Sequence, residues 1–118
     1  MDNIDWKDFL FGFEGRLNRG KFWLGVAILY VVPWVVFMIA ALVNSSFLWT
    51  LSGLIVLILI WPGLAISIKR WHDRGKSGWW ILIGFIPLVG PIWALVETGF
   101  LPGTPGTNEY GPDPLAGL

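Results

Sequence analysis

Cysteine is absent from this sequence of 118 residues. The chain therefore has no disulfide framework, no thiolate zinc site and no cysteine nucleophile. It has one histidine, so a second nitrogen or sulfur ligand for a transition metal is missing. The formal net charge is zero, and bulk electrostatics give no reason to expect nucleic acid as a partner. We predict no metal site, no cofactor and no nucleic-acid partner.

Charged residues are also scarce. They make up 14% of the chain, whereas hydrophobic residues make up 55%. A soluble domain of this size needs a mostly polar surface, and so few charges are too few to cover one. We conclude that lipid surrounds much of the chain and that residues 1–118 form one integral membrane domain.

Three long apolar segments follow one another along the chain. Residues 22–43 and 47–68 contain no Lys, Arg, His, Asp or Glu, and residues 79–101 contain only Glu97. A helix of either uncharged segment would be about 33 Å long, enough to cross a hydrocarbon core of about 30 Å. The sequence predicts an all-α membrane protein with three transmembrane helices at about 22–43, 47–68 and 79–101.

The cations predict the orientation of these helices. They lie before the first apolar segment and between the second and third, and none follows Lys76. Under the positive-inside rule, residues 1–21 and 69–78 are cytoplasmic. With three crossings, the tail at 102–118 is periplasmic and Glu97 snorkels near the outer membrane surface. The alternative is a break at Pro87–Pro91, where the third segment turns back and returns the tail to the cytoplasm.

The two ends of the chain differ in composition from the apolar segments. Residues 4–13 alternate aromatic and charged side chains, which indicates a short N-terminal helix lying along the membrane interface. The tail is rich in Gly and Pro and cannot form a long helix. We interpret it as a series of turns that caps the helix ends, although Asn108, Tyr110 and Asp113 could instead recognise a partner.

Three motifs resemble a known family, domain-of-unknown-function family 805 (DUF805), whose members are small bacterial inner-membrane proteins. The motifs are Phe11-x-x-Glu14-Gly15-Arg16-x-Asn18-Arg19-x-x-Phe22-Trp23, Arg70-x-His72-Asp73-x-Gly75-x-Ser77-Gly78-Trp79-Trp80 and Asn108-x-Tyr110-Gly111-Pro112-Asp113-Pro114. The chain departs from the family pattern at Asn18, where Ser is expected, and at Trp71, where Leu is usual. The resemblance implies a multi-span protein of the bacterial inner membrane and implies no activity.

His72 and Asp73 are the obvious candidates for chemistry. An imidazole beside a carboxylate can act as a general base or bind a metal. Adjacent residues on a helix point in different directions, however, and rarely form a working dyad. We favour a structural role, in which Asp73 pairs with Arg70, Arg74 or Arg16, and we assign no catalytic residue.

The basic residues near the predicted cytoplasmic surface form a candidate face for anionic lipid headgroups or a protein partner. This face consists of Arg16, Arg19, Lys21, Arg70, His72, Asp73, Arg74 and Lys76. Transport would need a polar path, and neither of the first two apolar segments has an acid or a histidine. Small residues on the helices allow close contacts within one molecule or in a homo-oligomer.

These observations favour a non-enzymatic accessory or interaction protein of the bacterial inner membrane, with a cytoplasmic N-terminus. Its partners would be the bilayer, a second copy or another membrane protein. Two alternatives remain open. One is an oligomeric channel or transporter for a small solute, and the other is a lipid-active enzyme that uses His72 and Asp73.

Overall fold

A computed structural model describes residues 5–115 of the chain. Within these residues the fold is helical and contains no strand. The elements in chain order are α1 (Trp6–Phe11), α2 (Arg19–Val43), α3 (Ser46–Ile58), α4 (Ile60–Asp73), a 3₁₀ helix (Gly78–Phe85), α5 (Val89–Ala94) and a π helix (Leu95–Phe100). The predicted N-terminal helix is present as α1, and position 4 of its predicted range lies outside the described residues.

The longest helix, α2, begins and ends at asparagines. The side-chain oxygen of Asn18 accepts a hydrogen bond of 2.8 Å from the backbone N–H of Lys21, which caps the first turn. Asn44 has a φ of 50°, a left-handed conformation that ends the helix and that asparagine tolerates better than most residues. The helix has 25 residues and is about 37 Å long.

Helices α3 and α4 run back along α2 as one helical segment with a small irregularity at Leu59. Pro62 lacks an N–H, so it cannot donate to the carbonyl of Ile58, and this missing bond explains the irregularity. Midway along α4, a Cβ on Gly25 would lie 3.0 Å from Ile66 Cδ1. Glycine therefore permits the close approach of α2 to α4.

Two helical segments, Arg19–Val43 and Ser46–Asp73, are long and apolar enough to cross a membrane. Their large side chains point away from the protein, and Leu42, Phe47 and Ile58 are 80%, 71% and 68% exposed. Water would oppose so much exposed apolar area, whereas hydrocarbon does not. The first two predicted spans therefore correspond to helices suited to the bilayer.

The prediction of one helix over 79–101 is wrong. The chain turns at Pro87 and Leu88, and the 3₁₀ helix on one side of this turn packs against α5 on the other. Leu88 has a φ of 65°, and the N–H of Val89 donates to the carbonyl of Pro87 at 2.7 Å. This tight turn reverses the chain. The structure thus has the alternative break in the region of Pro87–Pro91, and we call the segment 78–100 the hairpin.

The tail packs against the basic segment 69–76. The backbone N–H of Thr104 donates to the carbonyl of Asp73 at 2.6 Å, and the side-chain amide of Asn108 donates to the carbonyl of His72 at 2.9 Å. These contacts contradict the prediction that a membrane crossing separates the tail from segment 69–78. The physical reason is the hairpin, which brings the chain back beside the end of α4, where the hairpin begins.

A small hydrophobic core ties α1 to the two long helices. Phe9, Leu17, Phe22 and Ile66 form this core at the end of the molecule where α4 finishes. The same end holds the basic segment and the tail. The core therefore supports the region where the candidate residues meet.

Candidate functional site

Asp73 lies at the centre of the polar region, between two arginines from different parts of the chain. Its Oδ1 is 3.0 Å from Nε of Arg16, and its Oδ2 is 2.5 Å from Nη1 of Arg70. The three side chains are only 5%, 1% and 0% exposed, respectively. A buried carboxylate needs such partners because it has lost its water. We call these three residues the arginine clamp.

The remaining donors of Arg16 bind backbone carbonyls of the tail. Its Nη2 donates to Thr104 O at 2.5 Å, and its Nη1 donates to Gly106 O at 2.5 Å and Gly111 O at 3.3 Å. The tail has almost no regular structure to pair its own carbonyls. A single guanidinium thus satisfies several backbone groups that would otherwise lack partners.

Arg70 does the same for the end of the hairpin. Its Nε donates to Thr98 O at 2.5 Å, its Nη2 donates to Leu101 O, and its Nη1 is 3.4 Å from Leu17 O. The π helix that contains Thr98 leaves carbonyls without the usual helical donors. Arg70 supplies these donors and joins the hairpin to α4.

Glu97 is the acidic residue of the hairpin and pairs with the basic segment. Its Oε2 is 2.5 Å from Nζ of Lys76 and 3.5 Å from Nε of Arg74, while the indole N–H of Trp93 donates to Oε1 at 2.9 Å. The expectation that Glu97 snorkels at the far membrane surface is wrong. Because the segment turns at Pro87, Glu97 lies beside Arg74 and Lys76, the cations that precede the segment in the chain.

His72 makes no contact with the Asp73 carboxylate, and the two do not form a dyad. The His72 ring stacks on Tyr110 with centroids 4.0 Å apart and planes 2° from parallel. Its Nδ1 lies 2.9 Å from the carbonyl of Gly15 and donates to it, because a carbonyl only accepts. Both carboxylate oxygens of Asp73 are bound by arginines. The geometry therefore gives each residue a structural contact.

The three candidate tail residues build the tail itself. Asn108 Oδ1 accepts from the N–H of Tyr110 at 2.8 Å. Asp113 accepts from the N–H groups of Leu115 at 2.9 Å and Gly106 at 3.0 Å. These two backbone donors, Leu115 first, hold the pKa of the Asp113 carboxyl below its ordinary value. The contacts match the interpretation of the tail as an ordered cap.

The other cations divide into two groups. Arg19 is exposed, and its Nη1 donates to Phe100 O at 2.6 Å, so it contacts the hairpin. Lys21 faces a different side, next to α1 and Lys69. Sequence reasoning missed Lys69 as a site residue. The residue is 2% exposed, and its ammonium donates to the carbonyls of Asp8 and Phe9, a role that depends on the packing of α1.

Within residues 5–115, no group of three or more His, Asp and Glu side chains is arranged to hold a metal ion. Two cavities are grooves with mainly apolar walls. One of about 580 Å³ lies between the long helices and the hairpin, and one of about 470 Å³ lies beside Pro33 and Gly53. Neither groove contains a charged side chain.

Comparison with known proteins gives one family and several relatives. The model of the family described as "Protein of unknown function (DUF805)" matches residues 10–112. Inner membrane protein YhaI of Escherichia coli (strain K12) is 36% identical over 107 residues, which cover 90% of this chain and 88% of YhaI. Inner membrane protein YhaH of the same organism is 30% identical over 110 residues, 87% of each chain. The uncharacterized protein YiiR is 30% identical over 131 residues, 91% of this chain and 88% of YiiR. No solved structure matches the chain.

Proposed function

Because the chain belongs to DUF805, a family of unknown function with relatives named inner membrane proteins, we propose that it is a non-enzymatic accessory protein of the bacterial inner membrane. It binds other membrane components, protein or lipid, at its cytoplasmic side. The observation that carries this proposal is that the conspicuous polar residues are bound to one another and to the backbone. They build a surface.

In the proposed topology, α2 and the segment α3–α4 cross the membrane, and the hairpin enters it from the cytoplasmic side and returns. The distribution of cations supports this orientation. The returning arm has six residues of α-helix and six of π helix, at most about 18 Å, so it is too short to cross about 30 Å of hydrocarbon. Phe85 and Leu88 at its tip are 80% and 82% exposed, which suits immersion in lipid.

An enzymatic role for His72 and Asp73 lacks support from their contacts. A general base needs a lone pair directed at a substrate. Both oxygens of Asp73 accept from arginines, so this carboxylate neither serves as a base nor orients His72, whose Nδ1–H is bound by Gly15 and whose ring is stacked on Tyr110. A phenylalanine in place of His72 would keep the ring stack with Tyr110 and remove any acid–base chemistry. We expect His72→Phe to leave the lipid composition of the membrane unchanged, and an altered composition would favour the lipid-active enzyme.

A channel or transporter also lacks a structural basis in one molecule. Coupled transport uses acidic or histidine side chains inside the membrane, and the apolar grooves beside the long helices have none. Reconstitution of the purified chain alone into proteoliposomes tests this directly. We expect no flux of ions or small solutes above that of empty vesicles. Reproducible flux would support the transporter and overturn the accessory role.

Photocrosslinking in living cells tests the positive part of the proposal. A photoreactive residue at Trp79 or Lys7 lies on the proposed cytoplasmic face, and one at Phe47 lies at the opposite end as the matched control. We expect discrete adducts, with a membrane protein, a second copy of the chain or one lipid species, from the first two positions, and only unspecific adducts with bulk lipid from Phe47. Equal adducts from all three positions, or none from any, would contradict a dedicated binding face.

A further inference from the structure

A polar cavity of about 230 Å³ lies between α1, the beginning of α2 and the end of α4. Its walls differ from those of the apolar grooves because they carry charges of both signs. The charged and polar side chains that line it are Asp5, Asp8, Arg16, Asn18, Lys21 and Lys69. The guanidinium of Arg16 is already bound to Asp73 and to carbonyls of the tail. Two lysines and two aspartates therefore remain to meet a ligand.

Lys69 is a buried cation that lines the cavity. The residue is 2% exposed, and its ammonium has three N–H donors, of which two bind the carbonyls of Asp8 and Phe9. Within residues 5–115 neither Lys69 nor Lys21 has a carboxylate within ion-pairing distance, and Asp8 and Asp5 act on Lys69 only from farther away. A buried cation without a direct ion pair is costly. An anion in the cavity would take the third N–H of Lys69 and pair with both lysines.

The aspartates indicate that the ligand also has a positive group. Asp5 caps α1 by accepting from the N–H of Asp8 at 3.3 Å, and both aspartates line the cavity. A simple anion would meet repulsion from them. A zwitterion would place its anionic part at the lysines and its cationic part at the aspartates.

The cavity lies at the depth where phospholipid headgroups are found in the proposed topology. The outer side of α1 carries Trp6 and Phe11, which are 49% and 51% exposed, and such aromatic side chains anchor a helix in the interface. At about 230 Å³ the cavity holds several water molecules, so it has room for a small headgroup such as phosphoethanolamine.

We propose that this cavity binds the headgroup of a phospholipid that carries a primary amine, as in phosphatidylethanolamine. The phosphate pairs with Lys21 and Lys69, and the ammonium pairs with Asp8 and Asp5. A primary ammonium donates three hydrogen bonds to these carboxylates, whereas a trimethylated amine donates none. The inference goes beyond the accessory role and needs no protein partner.

Native mass spectrometry of the full chain in detergent tests the site. The protein receives equal amounts of phosphatidylethanolamine, phosphatidylcholine and phosphatidylglycerol with the same acyl chains. We expect about tenfold preferential retention of phosphatidylethanolamine, equivalent to about 1.4 kcal/mol. Equal retention of the three lipids would overturn the proposal.

Single substitutions test the phosphate contact and the ammonium contact of the headgroup separately. Lys21→Ala should reduce retention of phosphatidylethanolamine about tenfold, whereas Lys7→Ala, which removes an exposed cation of α1 outside this cavity, should not. Asp8→Asn should remove the preference over phosphatidylglycerol and keep phosphate binding. Equal losses in Lys21→Ala and Lys7→Ala would show a general charge effect and contradict the site. Lys69 is unsuitable because its bonds to α1 support the fold.

A titration with inorganic phosphate distinguishes a lipid headgroup from a free anion. We expect that phosphate at millimolar concentration leaves bound phosphatidylethanolamine in place, because it offers no amine to the aspartates. Complete displacement by phosphate, together with no preference among the lipids, would identify a free-anion site and overturn the headgroup assignment.

Discussion

Oε2 of Glu97 lies 2.5 Å from Nζ of Lys76, although a long apolar segment separates the two residues in the chain. The side chains are 6% and 30% exposed, so the pair is partly shielded from water. Two charges this close on one surface require that the apolar segment leaves that surface and comes back to it. The ion pair is therefore a direct consequence of the hairpin.

The hairpin predicts that the tail and the N-terminus lie on the same side of the membrane. The chain has no cysteine, so single cysteines can be introduced without further changes. In spheroplasts, a membrane-impermeant maleimide should label Ser46→Cys, at the turn between α2 and α3, and should not label Thr107→Cys in the tail. Both should react after permeabilisation. Labelling of Thr107→Cys in intact spheroplasts would place the tail outside.

Arg16 belongs to the arginine clamp and Arg19 does not. We therefore predict that replacing Arg16 destabilises the protein more than replacing Arg19. Arg16→Ala removes an ion pair to a buried carboxylate and the donors to three tail carbonyls, and we expect a loss of about 3 kcal/mol in unfolding free energy. Arg19→Ala removes one exposed bond to Phe100 and should cost less than about 1 kcal/mol. Unfolding midpoints in detergent measure both. Equal losses would show that the clamp is unimportant for stability.

Glycine at position 90 is predicted to be necessary for closing the hairpin. A Cβ there would lie 1.9 Å from the carbonyl oxygen of Ile83, so Gly90→Ala forces the two arms apart. We expect the unfolding free energy to fall by about 1–3 kcal/mol. Gly84→Ala is the matched control, since nothing lies within 4 Å of its added Cβ. If both variants unfold at the same midpoint as the parent, the arms do not pack in this way.

Acid should loosen the tail through Asp113. Its pKa is below the ordinary value of 3.8 because the N–H groups of Leu115 and Gly106 bind the charged form. A depressed pKa stabilises the folded tail above about pH 4, and this stabilisation is lost as the pH falls through the folded pKa. NMR titration of the Asp113 carboxyl carbon should give a midpoint under 3.8, with faster amide exchange at Gly106 below it. A midpoint at or above 3.8 would contradict the capping bonds.

Much of the fold was predictable because local features determine it. The charge-free segments indicated the two long helical segments. The family assignment from the three motifs is confirmed by the match over residues 10–112. Each of these conclusions depends on residues close together in sequence.

The third segment could not be decided in the same way. An apolar segment satisfies lipid equally well if it crosses the membrane or folds back within it, so hydropathy does not separate these arrangements. Pro87 and Pro91 raised the alternative. The contacts that favour it, such as Glu97 to Lys76 and Arg16 to the tail, join residues far apart in sequence. A pattern of local charge does not reveal which distant carbonyls an arginine will bind.

A charge swap tests the ion pair between Lys76 and Glu97. Lys76→Glu places two carboxylates together, and Glu97→Lys adds a third cation beside Arg74, so each single variant should lose about 1–3 kcal/mol in unfolding free energy. The double variant restores opposite charges and should recover a large part of this loss. Glu109→Lys, at an exposed position of the tail, serves as the control for added charge. Additive losses in the double variant would mean that the two side chains are not in contact, and the hairpin would lose its main electrostatic support.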